Sequence, residues 1–213
     1  MNCKLNLHLS NLVFALKWKG GQIVNTNLSI RMATEEDAEK ILEIYSSYIM
    51  NTAITFEYEI PSIAEFSKRI KGTMKKYPYI VALEEKRIAG FAYASAFRER
   101  PAYNRAVETT IYLRQDCRGK GLGKNLYLAL GDMLKRQNVI NLYAGVAYTA
   151  IEDAHLDNTS MAFHEHLGYS KVAHFTKCGY KFSKWYDVIW MEKMLGEHLD
   201  APVPFIPITE IQI

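Results

Sequence analysis

Three groups of residues in this chain could do chemistry. The first runs from Arg118 to Lys124, where the basic residues Arg118, Lys120 and Lys124 alternate with Gly119, Gly121 and Gly123 around Leu122, directly before a helix-forming segment. Glycines let backbone N–H groups close on an anion, and the start of the following helix adds the positive end of its dipole. The spacing predicts a diphosphate site. It is not a P-loop, because Asn125 stands where a magnesium-holding Ser or Thr is needed and no glycine occupies position 118. It is not a dinucleotide fingerprint either, since Lys124 replaces the last glycine of that pattern.

The second is Glu108, a carboxylate inside the strand-like run 106–113, just before the glycine loop. Strand alternation puts it on one face with Ala106, Thr110 and Tyr112. A partly buried carboxylate is costly unless it is paired or used. Arg98, Arg100 and Arg105 offer an ion pair; proton abstraction is the other reading. The third is His164, which by helical spacing shares a side with Met161 and Leu167 and on that ground reads as a core histidine. A zinc-protease pair fails, because Gly168 stands where the second histidine would be. Asp153, His155 and Asp157 alternate without a closing fourth ligand, so a solvated loop is expected there and no metal.

These groups need a scaffold. Residues 28–34 alternate as a half-buried strand, and Thr34 precedes an acidic first turn and a helix with Ile41, Leu42, Ile44, Tyr45, Tyr48 and Ile49 on its apolar face. Ser62 and Glu65 stand at capping-box spacing ahead of a second helix. Residues 79–84 and 88–97 read as a hairpin, 106–113 as a third strand, and 122 to about 137 as an amphipathic helix. Then come a strand near 139–148, a helix from about Asn158 to Leu167 stopped by Gly168, and two final strands. Hairpins precede the glycine loop, so the class is α/β without a doubly wound sheet. Residues 1–27 are expected to be an extension, 28–196 one domain, and 197–213 an irregular tail.

The whole chain has 213 residues and a net charge of +3, which suits one soluble domain and does not suggest nucleic-acid binding. Polar residues interrupt the apolar N-terminal stretch well short of the ~20 residues of a membrane span. Cys3, Cys117 and Cys178 lack metal or redox spacing and are expected as reduced thiols of a cytoplasmic protein.

The order strand–glycine loop–helix, with Arg118, Gly121 and Gly123 in the pattern Arg/Gln-x-x-Gly-x-Gly/Ala, resembles the acyl-CoA loop of the GNAT N-acetyltransferase superfamily. The stretches 30–49, 96–113, 163–169 and 178–195 narrow this to its phosphinothricin acetyltransferase-like branch, over about Leu28 to Leu195. The resemblance implies the GNAT fold, a mostly antiparallel twisted sheet of about seven strands with about four helices, and acetyl-CoA as cosubstrate without a metal. It implies a homodimer and a small-molecule amine acceptor, an amino acid or toxic analogue such as phosphinothricin or methionine sulfoximine or sulfone. Transfer would be direct, in a ternary complex.

Carried over residue by residue, the resemblance makes Glu108 the base, acting through a water, and His164 a second catalytic residue near the thioester, assisting deprotonation or protonating the leaving thiolate. It assigns Tyr112, Leu113, Arg118, Gly119, Lys120, Gly121, Leu122, Gly123, Lys124 and Asn158 to the cofactor. Phe56, Arg98, Arg100 and Tyr103 are assigned to the acceptor, the arginines as partners for a carboxylate. The segment 148–159 is longer than the family's and leaves the acceptor open. Acylation of a protein N-terminus, a polyamine or an aminoglycoside is the alternative, and a non-catalytic acyl-CoA-binding module is the alternative from another class.

Overall fold

The computed structural model describes residues 17–19, 22–25 and 28–211. Nine strands form one sheet in the order β1-β2-β3-β4-β5-β6-β7-β9-β8. The strand β1 (Lys17–Lys19) pairs antiparallel with β2 (Gln22–Asn25), and β2 antiparallel with β3 (Leu28–Met32). Residues 1–16 of the expected extension, Cys3 among them, lie outside the described residues.

The hairpin of β4 (Tyr79–Glu84) and β5 (Arg87–Ala96) turns through Glu85 and Lys86, both at positive φ as a two-residue hairpin turn requires. Next to β5 lies β6 (Ala106–Leu113), then β7 (Asn141–Tyr148), β9 (Lys184–Met194) and the edge strand β8 (Ser170–Lys181). Every pairing is antiparallel except β6 with β7, whose parallel crossover is made by α3 (Leu122–Arg136). The seven strands from β3 onward and four helices bear out the expected fold.

Helices cover both faces. On one, α1 (Ala38–Asn51) and α2 (Ile63–Met74) pack Ile41, Ile49, Phe66 and Ile70 against Val81 and Phe91. Ser62 caps α2, its side chain accepting from the Glu65 amide at 3.2 Å. On the other face α3 sets Leu126, Leu130 and Leu134 against Val107, Leu142, Val146 and Ile189, and α4 (Thr159–His166) adds Met161 and Phe163. Each such side chain contributes about 1.5–3 kcal/mol when fully buried.

Two segments are better held than the sequence suggests. The tail is irregular but docked: Ile206 N donates to Gln137 O at 3.1 Å, Gln137 Nε2 donates back to Ile206 O at 2.9 Å, and Ile208 is buried. The segment expected as a solvated loop is a clamp. Asp153 accepts from the amides of His155 and Leu156 and pairs with Lys184 at 2.5 Å. Burial acts to raise the Asp153 pKa, but Lys184 and the two amides outweigh it and hold it at about 2. No group of three His, Cys, Asp or Glu side chains suited to a metal occurs among the described residues. No described helix is long and apolar enough to cross a membrane.

Candidate active site

The parallel ladder between β6 and β7 ends early. Its rungs are Ala106↔Asn141, Val107↔Leu142 and Glu108↔Tyr143, and beyond these the two strands part. Thr109 Oγ1 bridges the first open position by donating to Tyr143 O at 3.1 Å. The split opens toward the glycine loop.

There a cavity of about 390 Å³ is lined by Ile111 and Leu113 of β6, Arg118 to Gly123 without Lys120, Lys124, and Ser160, Phe163 and His166 of α4. Gly119 and Gly121 hold φ of +73° and +78°, a region only glycine enters freely, and a Cβ at either would meet open space. Gly123 differs: a Cβ there would lie 3.1 Å from the Phe163 ring, so it is needed for the close approach of α3 to α4. Backbone amides at the start of α3, the open glycine cradle and the flanking Arg118 and Lys124 fit a diphosphate.

The cavity also exposes a contact that the sequence reading missed. Tyr48 of α1 donates its hydroxyl to Leu113 O at 2.6 Å and accepts from Arg118 Nη2 at 3.1 Å. Its spacing on α1 marks it as core, and that it is; only the fold brings the hydroxyl to the loop. Lys120 points elsewhere, 4.0 Å from Glu84. His166, two residues after His164 and so on the other side of α4, faces the cavity.

Glu108 stands at the vertex of the split, on the α1/α2 face, with no side-chain hydrogen bond or ion pair among the described residues. Burial pushes its carboxyl above the ordinary value, and the positive charge of Arg98 opposes the shift only in part. Arg98 lies over the Phe97 ring at 4.4 Å and donates to Phe97 O, while Arg100 is exposed and Tyr103 meets Phe97 edge-on at 6.0 Å. None of the three arginines considered pairs with Glu108.

Besides Lys120, four expected site residues are placed differently. His164 is buried, 3% exposed, and does not line the cavity. Its Nδ1 lies 2.7 Å from Ser160 O and so carries the proton, leaving Nε2 to accept from the Tyr127 hydroxyl at 2.9 Å. Burial lowers its pKa, against the Ser160 carbonyl. Tyr127 Oη is 3.5 Å from Thr109 O, so that tyrosine links His164 to the vertex.

The side chain of Asn158 is consumed by the loop before α4, donating to Thr149 O at 2.9 Å and accepting from Thr149 N at 3.3 Å. Tyr112 is turned from the cavity by strand alternation and packs its ring against Tyr45, Tyr48 and Phe91. Phe56 sits over Gly179 of β8, so tightly that a Cβ there would lie 2.2 Å from its ring, and packs against the cluster of Ala53, Ala147, Leu156 and Tyr186.

A family model described as an acetyltransferase (GNAT) domain matches residues 30–190. The chain belongs to the GNAT acetyltransferase family. A phosphinothricin N-acetyltransferase of Streptomyces coelicolor is 30% identical, covering 79% of this chain and 96% of that protein. An L-methionine sulfoximine/L-methionine sulfone acetyltransferase of Pseudomonas aeruginosa is 31% identical, over 82% of this chain and 98% of that protein. Among solved structures, a GNAT superfamily phosphinothricin acetyltransferase from Sinorhizobium meliloti in complex with acetyl-CoA superposes with a TM-score of 0.75. It is 32% identical, covering 86% of this chain and 99% of that one.

Proposed function

We propose that this chain is an acetyl-CoA-dependent N-acetyltransferase acting on the amine of a small amino acid or an analogue of the phosphinothricin or methionine sulfoximine type. The observation that carries the reading is the split between β6 and β7, with the glycine cradle on one side and an unpaired Glu108 at its vertex. Bound there, acetyl-CoA supplies an activated acyl group.

The chain's own residues do the rest. Gly119, Gly121 and the start of α3 hold the diphosphate, with charge from Arg118 and Lys124; Tyr48 fixes Arg118 and the Leu113 peptide. Glu108 collects the ammonium proton through a water, and its raised pKa brings it toward the working pH. His164 acts as a positioning residue, bracing Tyr127 behind the vertex. Arg98 and Arg100 hold the acceptor's carboxylate or phosphinate, since a guanidinium can grip two oxygens at once. The reading extends to a homodimer, supported by Val172, Phe175, Tyr180 and Trp185 exposed on β8 and β9, and to a reducing compartment, which suits the free Cys117 and Cys178.

Two measurements test this reading. Acetyl-CoA is expected to raise the melting temperature where ATP does not. In a free-thiol assay, methionine sulfone is expected to be acetylated strongly in preference to its decarboxylated amine, with that preference reduced in Arg98→Lys or Arg100→Lys. Equal use of acid and amine would move the acceptor to polyamines or peptides.

A further inference from the structure

Glycine weakens the middle of a strand, so one that stands there needs a reason. Gly145 lies at the centre of β7, two residues beyond its last rung with β6, and it is exposed. Conformation does not demand it, because its φ is not positive. Steric exclusion does not demand it either: a Cβ would lie 3.4 Å from Glu108 Oε1 and 3.9 Å from Cε2 and Cζ2 of Trp190. What the missing side chain leaves is space, between a carboxylate and an indole.

That space has a wall. Phe97 stacks on Tyr143 with ring centres 4.3 Å apart and meets Trp190 edge-on at 5.5 Å, while Tyr143 meets Trp190 at 6.3 Å. Tyr143 is the rung partner of Glu108 and Trp190 the register partner of Gly145. The aromatic wall therefore runs beside the vertex where β6 and β7 part.

We propose that the methylenes of the acceptor's side chain lie over Gly145, between the Glu108 carboxylate and the Trp190 indole, and that this slot selects amino acids with an extended side chain. The inference rests on the acetyltransferase reading above. An aliphatic chain laid on an indole gains buried apolar area at little cost in polar desolvation. A cationic side chain competes with the reacting ammonium for the Glu108 carboxylate. Gly145 thus sets how bulky an acceptor can be while its amine stays within reach of the base.

The experiment compares acetyl transfer to L-methionine sulfone and to L-alanine by wild type, Gly145→Ala, Gly145→Val and Trp190→Leu, with acetyl-CoA affinity measured by calorimetry. One methylene misfitted in a pocket shifts kcat/KM by about 10–200-fold. Gly145→Val is therefore expected to cut the sulfone-to-alanine ratio of kcat/KM at least about tenfold, mainly through KM, with Gly145→Ala intermediate. Trp190→Leu should lower the same ratio, and its outcome stands even if Gly145→Val fails to fold. Acetyl-CoA affinity should hold in all three. An unchanged ratio in Trp190→Leu and in each Gly145 variant that folds, or equal loss for both acceptors, overturns the slot. A wild type that acetylates no amine overturns the acetyltransferase reading itself, and the slot with it.

Discussion

Glu108 and Tyr143 form the last rung of the parallel ladder between β6 and β7. One residue further along β6, Thr109 reaches across with its hydroxyl instead of its backbone, and after that the strands separate. The consequence is chemical. A carboxylate on the final rung is fixed by the sheet, stripped of much of its water, and faces the opening that the separation creates. The same opening leads on the other face to the glycine loop.

The cradle gives the first prediction. Gly121 sits at φ +78° directly before α3, and a β-branched residue there strains the backbone and turns its amide away from the anion. Gly121→Val is expected to weaken acetyl-CoA binding about tenfold or more, near the ~1.5 kcal/mol of one lost hydrogen bond to a charged group. Calorimetry reads this directly, and unchanged affinity would remove the diphosphate from this loop.

Lys181 gives a stability prediction. It is buried, and its ammonium donates to three carbonyls at and beyond the end of α1: Ile49 O at 2.8 Å, Thr52 O at 2.9 Å and Thr55 O at 2.8 Å. Burial lowers its pKa, with the charge of Glu57 opposing. Lys181→Met leaves those acceptors without their donor and is expected to cost ~1–3 kcal/mol of unfolding free energy, measured by denaturant titration. A loss well under that range would mean water replaces the ammonium.

His164 separates support from chemistry. Its folded pKa lies below the ordinary 6.5. In the window between those two values the unfolded chain binds more protons than the folded one, so stability rises with pH there and is lost as pH falls through the folded pKa. His164→Gln should lower the melting temperature near neutrality yet flatten its fall toward about pH 5. The pH profile of acetyl transfer should keep its midpoint in this variant, because the proposed titrating base is Glu108. A displaced midpoint would make His164 a proton carrier.

Much of the scaffold was legible from the chain. The hairpins announced themselves by β-branched and aromatic runs about short turns, and α2 by Ser62 and Glu65. Gly119 and Gly121 stood out because positive φ is a local property that sequence records. Contacts distant in sequence were not legible. Tyr48 looks like any other apolar-face residue of α1 until the fold sets it beside Leu113 and Arg118, 65 and 70 positions away. Lys181 carries no local mark of its three carbonyl partners. Helical spacing did place His164 on the core side, and it is the resemblance that draws it toward the thioester; the two readings meet in Tyr127. Asn158 kept its place at the start of α4, but the loop before it captured its amide through Thr149.

The most direct measurement is free-thiol release from acetyl-CoA with methionine sulfone as acceptor, comparing wild type with Glu108→Gln from the ordinary carboxylate range at about pH 4.5 up to about pH 9, beside calorimetric acetyl-CoA affinity. With the raised carboxyl pKa, wild-type turnover should rise with pH as Glu108 ionises. Glu108→Gln should bind acetyl-CoA as wild type does and lose ~10²–10⁴-fold in kcat, with the dependence on that ionisation gone. A loss under about tenfold with an unmoved pH profile would contradict the assignment of Glu108 as the base.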